Sequence, residues 1–341
     1  MTGRYLIVAL MFFLAQGLVP GGWSGALAQV AAPAPAQAQP AVITPGVRRL
    51  TAGVLTVIPP KVEEQETFSG PRELVELVYT APPLTWTPNF TPQSQTLIEI
   101  AKAATFRREV WQLEFGFKPL RMMTVDVPQP GGKLERKAIW YLYYYVQNNG
   151  GHMSPAPEKD EFGHQTFTTN PINRPIRFFP SFMLVSHDQR KAYLDRVIPV
   201  AAARIQQRED AQVRLLNSVE ISQVAVPVSS PENRQRLWGV ATWEDVDPRT
   251  DYFSIYIQGL SNAYLWQDPP GAFKAGDPPG TGRRYASKTL QLNFWRPGDE
   301  VLEHEGEVRY GIPELHDPTR AAELFELYGV PSRVDYLWIY R

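Results

Sequence analysis

The chain has 341 residues, a formal charge of −1, 43% hydrophobic and 12% aromatic residues, and no cysteine. That apolar content supports a sizeable core and excludes global disorder, and a near-neutral charge leaves no overall basic field for nucleic acid or acidic lipid. Without cysteine there are no disulfides, thiolate chemistry, cysteine-held zinc, iron–sulfur clusters or lipidated cysteine anchor.

The first 28 residues read as a signal peptide. Arg4 supplies the positive start, residues 5–18 (YLIVALMFFLAQGL) the apolar stretch, and Ala26-Leu27-Ala28 the small-x-small cleavage site. The apolar run is shorter than the roughly 20 residues of a membrane-spanning helix, and Pro20-Gly21-Gly22 ends it. No later segment is long and apolar enough to span a bilayer. The expected location is therefore periplasmic or secreted, with no membrane span after cleavage.

Residues 29–46 form an Ala/Pro/Gln-rich linker, and 47–107 an irregular N-terminal extension with a short strand near Arg72–Tyr79 and a helix from Ser94 to Ala104. From residue 108 the period becomes two. In EVWQLEFGFK, Trp111, Leu113, Phe115 and Phe117 share one face, and Gln112, Glu114, Gly116 and Lys118 the other, which predicts a half-buried strand. Leu120–Val127 continues as a second strand before a turn at Pro128–Gly132. Ile139–Val146 (IWYLYYYV) is apolar on both faces, so it belongs in the middle of a sheet or under a further layer. Asn and Gly at Gln147–Gly151 end it.

Residues 152–176 read as a long polar loop. Arg177–Ser186 reads as a strand in which Pro180 marks an edge or a bulge. A helix is expected from Pro199 through AAARIQQRE, since proline at a first helical position forfeits no bond. Val219–Val228, Arg236–Thr242 and Tyr252–Ile257 follow as strands, the last two joined tightly across Asp247–Asp251. Residues 267–285 read as a Pro/Gly loop. Leu290, Leu292 and Phe294 share one face of Lys288–Trp295, and Arg296–Asp299 turns the chain. At the end, Asp317 caps a helix with Pro318 at its first position, a stripe of Ala321, Leu324, Phe325 and Tyr328, and Gly329 as stop. Val334–Tyr340 is a final strand.

This pattern predicts a mainly β chain. Its strands form a β-sandwich over 108–311 with long loops and one inserted short helix, and a C-terminal helix and strand (312–341) pack on it. Three strings, IWYLYYYVQNNGG, FFPSFMLVSHDQRKAYLDRVIP and RLWGVATWEDVDPRTDYFSIYIQGL, resemble a family of exported bacterial proteins of planctomycete type. WQLEFGFKPLRMMTVDVP and KTLQLNFWRPGDE extend the likeness across roughly residues 108–311. The resemblance implies an immunoglobulin-like β-sandwich and carries over no catalytic motif.

Several constellations bear on chemistry. Glu244, Asp245, Asp247 and Asp251 cluster four carboxylates, a weak calcium candidate, although Arg249 and Thr250 stand where a calcium loop needs an oxygen ligand and a glycine. Asp as a turn former explains the same residues. Gly276–Arg284 lacks the spacing, lysine and hydroxyl of a phosphate loop. The five histidines (His152, His164, His187, His304, His316) show no metal-ligand spacing, though His152 and His164 share one loop. Tyr141, Tyr143, Trp243 and Trp266 are the test of sugar binding. Exposed in a row they would stack on a ligand, with Trp243 and Trp266 as candidates; buried they are core. The expectation is an exported, non-catalytic protein without cofactor, with a structural or protein-interaction role at the cell envelope. A carbohydrate-binding module and an envelope hydrolase remain as alternatives, and the expected partners are envelope protein or polysaccharide.

Overall fold

A computed structural model of the chain describes residues 55–71, 105–159, 161–162, 165–270, 281–297 and 308–341. All described residues belong to the unit Pro45–Arg341. The signal peptide, the linker, the strand near Arg72–Tyr79, the helix from Ser94, His164, His304 and residues 271–280 lie outside the described residues.

In chain order the elements are β1 (Thr56–Ile58), a 3-10 turn (Glu64–Thr67), β2 (Phe68–Pro71), β3 (Thr105–Arg107), β4 (Glu114–Phe117), β5 (Arg121–Pro128) and β6 (Leu134–Gln147). Then come β7 (His152–Lys159), β8 (Gln165–Ile172), β9 (Ile176–Arg177), β10 (Ser181–Ser186) and β11 (Lys191–Leu194). Helices α1 (Pro199–Glu209) and α2 (Ser218–Gln223) precede β12 (Ala225–Val226), β13 (Arg236–Trp243), β14 (Tyr252–Gln258), β15 (Tyr264–Gln267) and β16 (Arg284–Trp295). The chain closes with β17 (Arg309–Tyr310), α3 (Pro318–Tyr328) and β18 (Tyr336–Tyr340).

The protein is mainly β, and its named strands pair antiparallel throughout. One sheet runs β1-β4-β6-β13, with β5 also on β6. The other runs β11-β10-β14-β16-β15, with β17 and β18 also on β16. The two sheets face each other across one core. Phe115 and Tyr144 of the first meet Phe182 of the second, Trp140 meets Phe253, and Phe117 meets Phe294, with ring centroids 4.9–6.4 Å apart.

β4 and β5 lie along the same side of β6 as one strand interrupted at Lys118–Leu120, with β1 beside β4. Phe117 pairs with Tyr144, but Arg121 pairs with Tyr141, so this strand carries one extra residue. Pro119, which has no N–H to give, sits in this bulge. The extra residue flips the faces. Before it, Leu113, Phe115 and Phe117 point into the sandwich. After it, Leu120 and Met122 do, while Met123, Val125 and Val127 turn to the other side.

That other side is where the two-faced strand finds its cover. Trp140, Leu142, Tyr144 and Val146 fill the sandwich, while Ile139, Tyr141 and Tyr143 lie under α1 against Ala201 and Ile205. Pro199 at the start and buried residues four apart make α1 the expected helix. The far face of the second sheet is covered by α3, whose Leu324 and Tyr328 pack with Ile312, Val330, Tyr252 and Leu337. As expected, Asp317 caps it by accepting from Thr319 N, and Gly329 ends it at φ 67°.

Three expectations are corrected. Residues 152–176 are not a loop: β7 and β8 pair over eight residues each as a two-stranded ribbon. Val219–Val228 is not a strand. Asn217 accepts from the Val219 and Glu220 amides while Glu220 reaches back to the Asn217 N–H, and this capping box starts α2 and leaves only β12 extended. The insertion is therefore two helices, not one. In addition, the 108–117 strand narrows to β4, since Val110 and Gln112 make only isolated bridges, and β1 of the N-terminal extension joins the first sheet.

Candidate binding surface at one end of the sandwich

Residues 107–113 knit two projecting ribbons to the sandwich. Val110 and Met153 of β7 exchange both backbone bonds at 2.9 Å. On the other side, Trp111 N donates to Asn262 Oδ1 (2.9 Å) and Leu113 N to the Leu260 carbonyl (2.8 Å). Arg108 donates to the Tyr264 carbonyl (2.5 Å) with its guanidinium 3.5 Å over the Tyr264 ring, and Arg107 lies over Phe167 of β8 at 5.5 Å. The β7–β8 ribbon and the β15–β16 ribbon therefore flank the same short segment. Gln112, assigned to the polar face by periodicity, is 2% exposed at this junction, and neither of its amide atoms meets a hydrogen-bond partner among the described residues.

The β15–β16 ribbon exists because the chain leaves β14 at Gly259. Its φ of 90° suits glycine, and a Cβ there would run into the Phe179 carbonyl oxygen. When the strand resumes, Trp266 pairs across to Tyr285, and the Tyr264 ring meets Tyr285 edge-on at 5.6 Å. Arg283, clamped by Asp268 through two 2.7 Å bonds, covers Trp266 at 3.8 Å. Tyr285 is 60% exposed. The result is a strip of three aromatic rings in which Arg108 covers one face of Tyr264 and Arg283, itself 5% exposed, covers one face of Trp266, residue types that dominate binding hot spots.

Of the two stacking candidates, only Trp266 lies in this strip. Trp243 is wholly buried between the sheets, paired across to Trp140, so it cannot stack on a ligand. Tyr141 and Tyr143 are buried under α1 as well. Burial raises the Tyr143 hydroxyl to about 12, and burial with the Glu209 carboxylate raises that of Tyr141 further. Tyr141, Tyr143, Trp243 and Trp266 thus form no exposed row, and the first three are core. Tyr264, Tyr285, Arg108 and Arg283 were missed. Their signal was the two-residue spacing of Tyr264 and Trp266, matched by Tyr285 beyond a Pro/Gly stretch.

The four calcium candidates do not converge. Glu244 pairs with Arg196, Asp245 with Lys137 (3.0 Å), Asp247 with Lys191 (2.8 Å) and Arg249 (3.0 Å), and Asp251 with Arg296 (3.6 Å). The Asp247 carboxyl is held well below the usual range by hydrogen bonds from Arg249 and Lys191. Asp245 sits at φ 57°, a turn conformation that aspartate tolerates. Among the described residues no three His, Asp or Glu side chains group as metal ligands.

Several buried ionisable groups among the described residues bond within the fold. His187 Nε2 lies 2.8 Å from Ser254 Oγ, but Ser254 gives its proton to Asn293 Oδ1 (2.8 Å), so the imidazole donates and cannot serve as that hydroxyl's base. Ser254 is wholly buried under α3, and burial pushes His187 down to about 4. His152 is buried at the base of β7 and likewise lowered by burial. Glu209, at the end of α1, accepts from Tyr141 (2.7 Å), Lys118 (3.0 Å) and Arg121 (2.8 Å). Asp195 accepts from Ser218, and burial raises its carboxyl. Among the described residues no helix is long and apolar enough to cross a membrane. Comparison with known protein families, with curated proteins and with solved structures returned no match.

Proposed function

We propose that this is an exported immunoglobulin-like β-sandwich protein of the cell envelope, belonging with the planctomycete-type family it resembles, whose work is binding rather than catalysis. The strand order supports the immunoglobulin-like reading. β4/β5, β6 and β13 fall in the order A-B-E, and β11, β10, β14 and β16 in the order C′-C-F-G. In that scheme the β7–β8 ribbon occupies the B–C connection and the β15–β16 ribbon the F–G connection. Those connections cluster at one end of such sandwiches and carry their ligands.

The observation that carries the reading is the Tyr264–Tyr285–Trp266 strip with Arg108 and Arg283, while α1 and α3 cover parts of the two outward sheet faces. An envelope protein is the partner proposed first, since Tyr, Trp and Arg together make protein hot spots. A polysaccharide is the second reading, favoured by the cross-strand Trp266–Tyr285 pair, a hydrophobic surface with polar edges. The test compares wild type with Tyr285→Ala and Trp266→Ala for retention on separated envelope protein and envelope polysaccharide. Both variants keep the wild-type melting midpoint and lose retention on one fraction at least tenfold, about 1.4 kcal/mol. Equal retention by all three proteins refutes the strip as the contact.

A further inference from the structure

We propose that the β7–β8 ribbon joins two copies of this chain, β8 pairing antiparallel with β8 of the second copy about a twofold axis at Thr168. The parity of the ribbon is readable from its neighbours. Met153 spends both backbone groups on Val110, away from β8, so the odd-numbered positions of β7 present N–H and C=O outward. Pro155 and Pro157 occupy the next two such positions and have no N–H to offer, so between Met153 and Lys159 the outer edge of β7 has no donor for a further strand.

The opposite edge is different. Thr169 and Phe167 face Pro155 and Pro157, so their N–H and C=O groups also point outward. Among the described residues none hydrogen-bonds to them. An edge with donors and acceptors beside an edge whose middle is blocked by two prolines favours one addition, a closed pair rather than a filament.

The chemistry of β8 suits its own copy. Gln165–Ile172 (QTFTTNPI) itself carries no charge, so the two β8 strands meet without direct repulsion, and the nearby Glu158 carboxylate of β7 accepts from Thr168 Oγ1 at 3.1 Å. Antiparallel addition places Glu161 at the tip of one ribbon toward the base of the other, where Arg174 pairs with Glu109 at 2.7 Å and keeps half of its side chain exposed. Phe167 and Thr169 then exchange bonds with Thr169 and Phe167 of the second copy, and Thr168 meets its counterpart at a non-hydrogen-bonded position.

The cysteine-free chain gives a direct test. Cα atoms at such a position lie about 4.5 Å apart, within disulfide reach. The purified full chain is expected at twice its monomer mass by light scattering. Thr168→Cys cross-links to a covalent dimer under mild oxidation, whereas Thr124→Cys, exposed on β5, does not. Thr169→Pro, a substitution β8 already tolerates in kind at Pro171, shifts the folded protein to monomer. A monomeric wild type, cross-linking of Thr168→Cys no faster than of Thr124→Cys, or a folded Thr169→Pro dimer overturns the proposal.

Discussion

Replacing Gly239 by alanine tests the packing between the two sheets. Gly239 on β13 lies opposite Tyr144 on β6, and the tyrosine ring covers the glycine where a side chain would be. An added Cβ would stand 2.5 Å from Tyr144 Cζ, 2.6 Å from its Oη and 2.8 Å from Cε2, about 1 Å inside ordinary contact. The ring cannot retreat easily, because Phe182 (4.9 Å), Phe115 (5.4 Å) and Phe178 (6.4 Å) surround it and it is wholly buried. Overpacking of this kind costs about 1–3 kcal/mol, and the lack of slack places Gly239→Ala near the upper end, about 3 kcal/mol. Tyr144→Leu opens the space at its own cavity cost, and Gly239→Ala added to it should cost less than about 1 kcal/mol. Urea denaturation of wild type, both single variants and the double variant gives the coupling directly. A Gly239→Ala cost below about 0.5 kcal/mol, or the same cost in both backgrounds, refutes the argument. Gly116 offers the contrast: Tyr145 covers it from the outward face of the sheet, under Arg236 and beside Trp238.

Two further outcomes follow from buried ionisable groups. Glu209→Gln keeps one acceptor oxygen for Tyr141 and Arg121 but removes the negative charge that faces Lys118 and Arg121 and turns an NH2 donor toward Lys118. Lys118 and Arg121 are 15% and 20% exposed and can be partly rehydrated, so the expected loss is about 2 kcal/mol at neutral pH. Because hydrogen bonds and cations hold the Glu209 carboxyl below its ordinary 4.5, that contribution is full above the ordinary range and is lost as pH falls through the lowered value. Denaturation midpoints of wild type and variant should therefore converge in acid, and a constant gap contradicts the assignment. His187 has the opposite charge logic. Its folded value of about 4 lies below the ordinary 6.5, so the unfolded chain takes up the proton first and stability falls as pH drops from 6.5 toward 4. The loss is at most about 1.4 kcal/mol per pH unit, about 3 kcal/mol in all. His187→Gln, which keeps a donor toward Ser254, should flatten that slope in urea titrations, and parallel slopes would sink the reading.

Much of the frame was legible in the residues themselves. The apolar face of Leu113, Phe115 and Phe117, the two-faced Ile139–Val146, Pro199 opening α1, and Asp317 and Gly329 bounding α3 are local signals, and each produced the expected element. Other signals were present but outweighed by composition. Asn217 and Glu220 are a capping box, yet the β-branched residues around them read as strand. Pro155, Pro157 and Pro171 read as loop, yet each sits where a ribbon needs no N–H.

The candidate site was less legible because its partners are far apart in the chain. Arg108 meets Tyr264, and Tyr285 meets Trp266 across residues 267–284. Trp243 has the same chemistry as Trp266, and only its pairing with Trp140 beneath the second sheet removes it from the surface. The alternation of Gln291 and Asn293 with Leu290, Leu292 and Phe294 is equally silent on what lies above the polar face. There α3 closes over it, and Gln291, Asn293, Ser254 and His187 bond to one another. Periodicity, caps and turn residues act through neighbours a few positions away, so the sequence alone determined which residues share a face and where α1 and α3 begin. Which face is covered, and which distant aromatics meet, depends on contacts between sheets and ribbons, and those exist only once the chain has closed on itself.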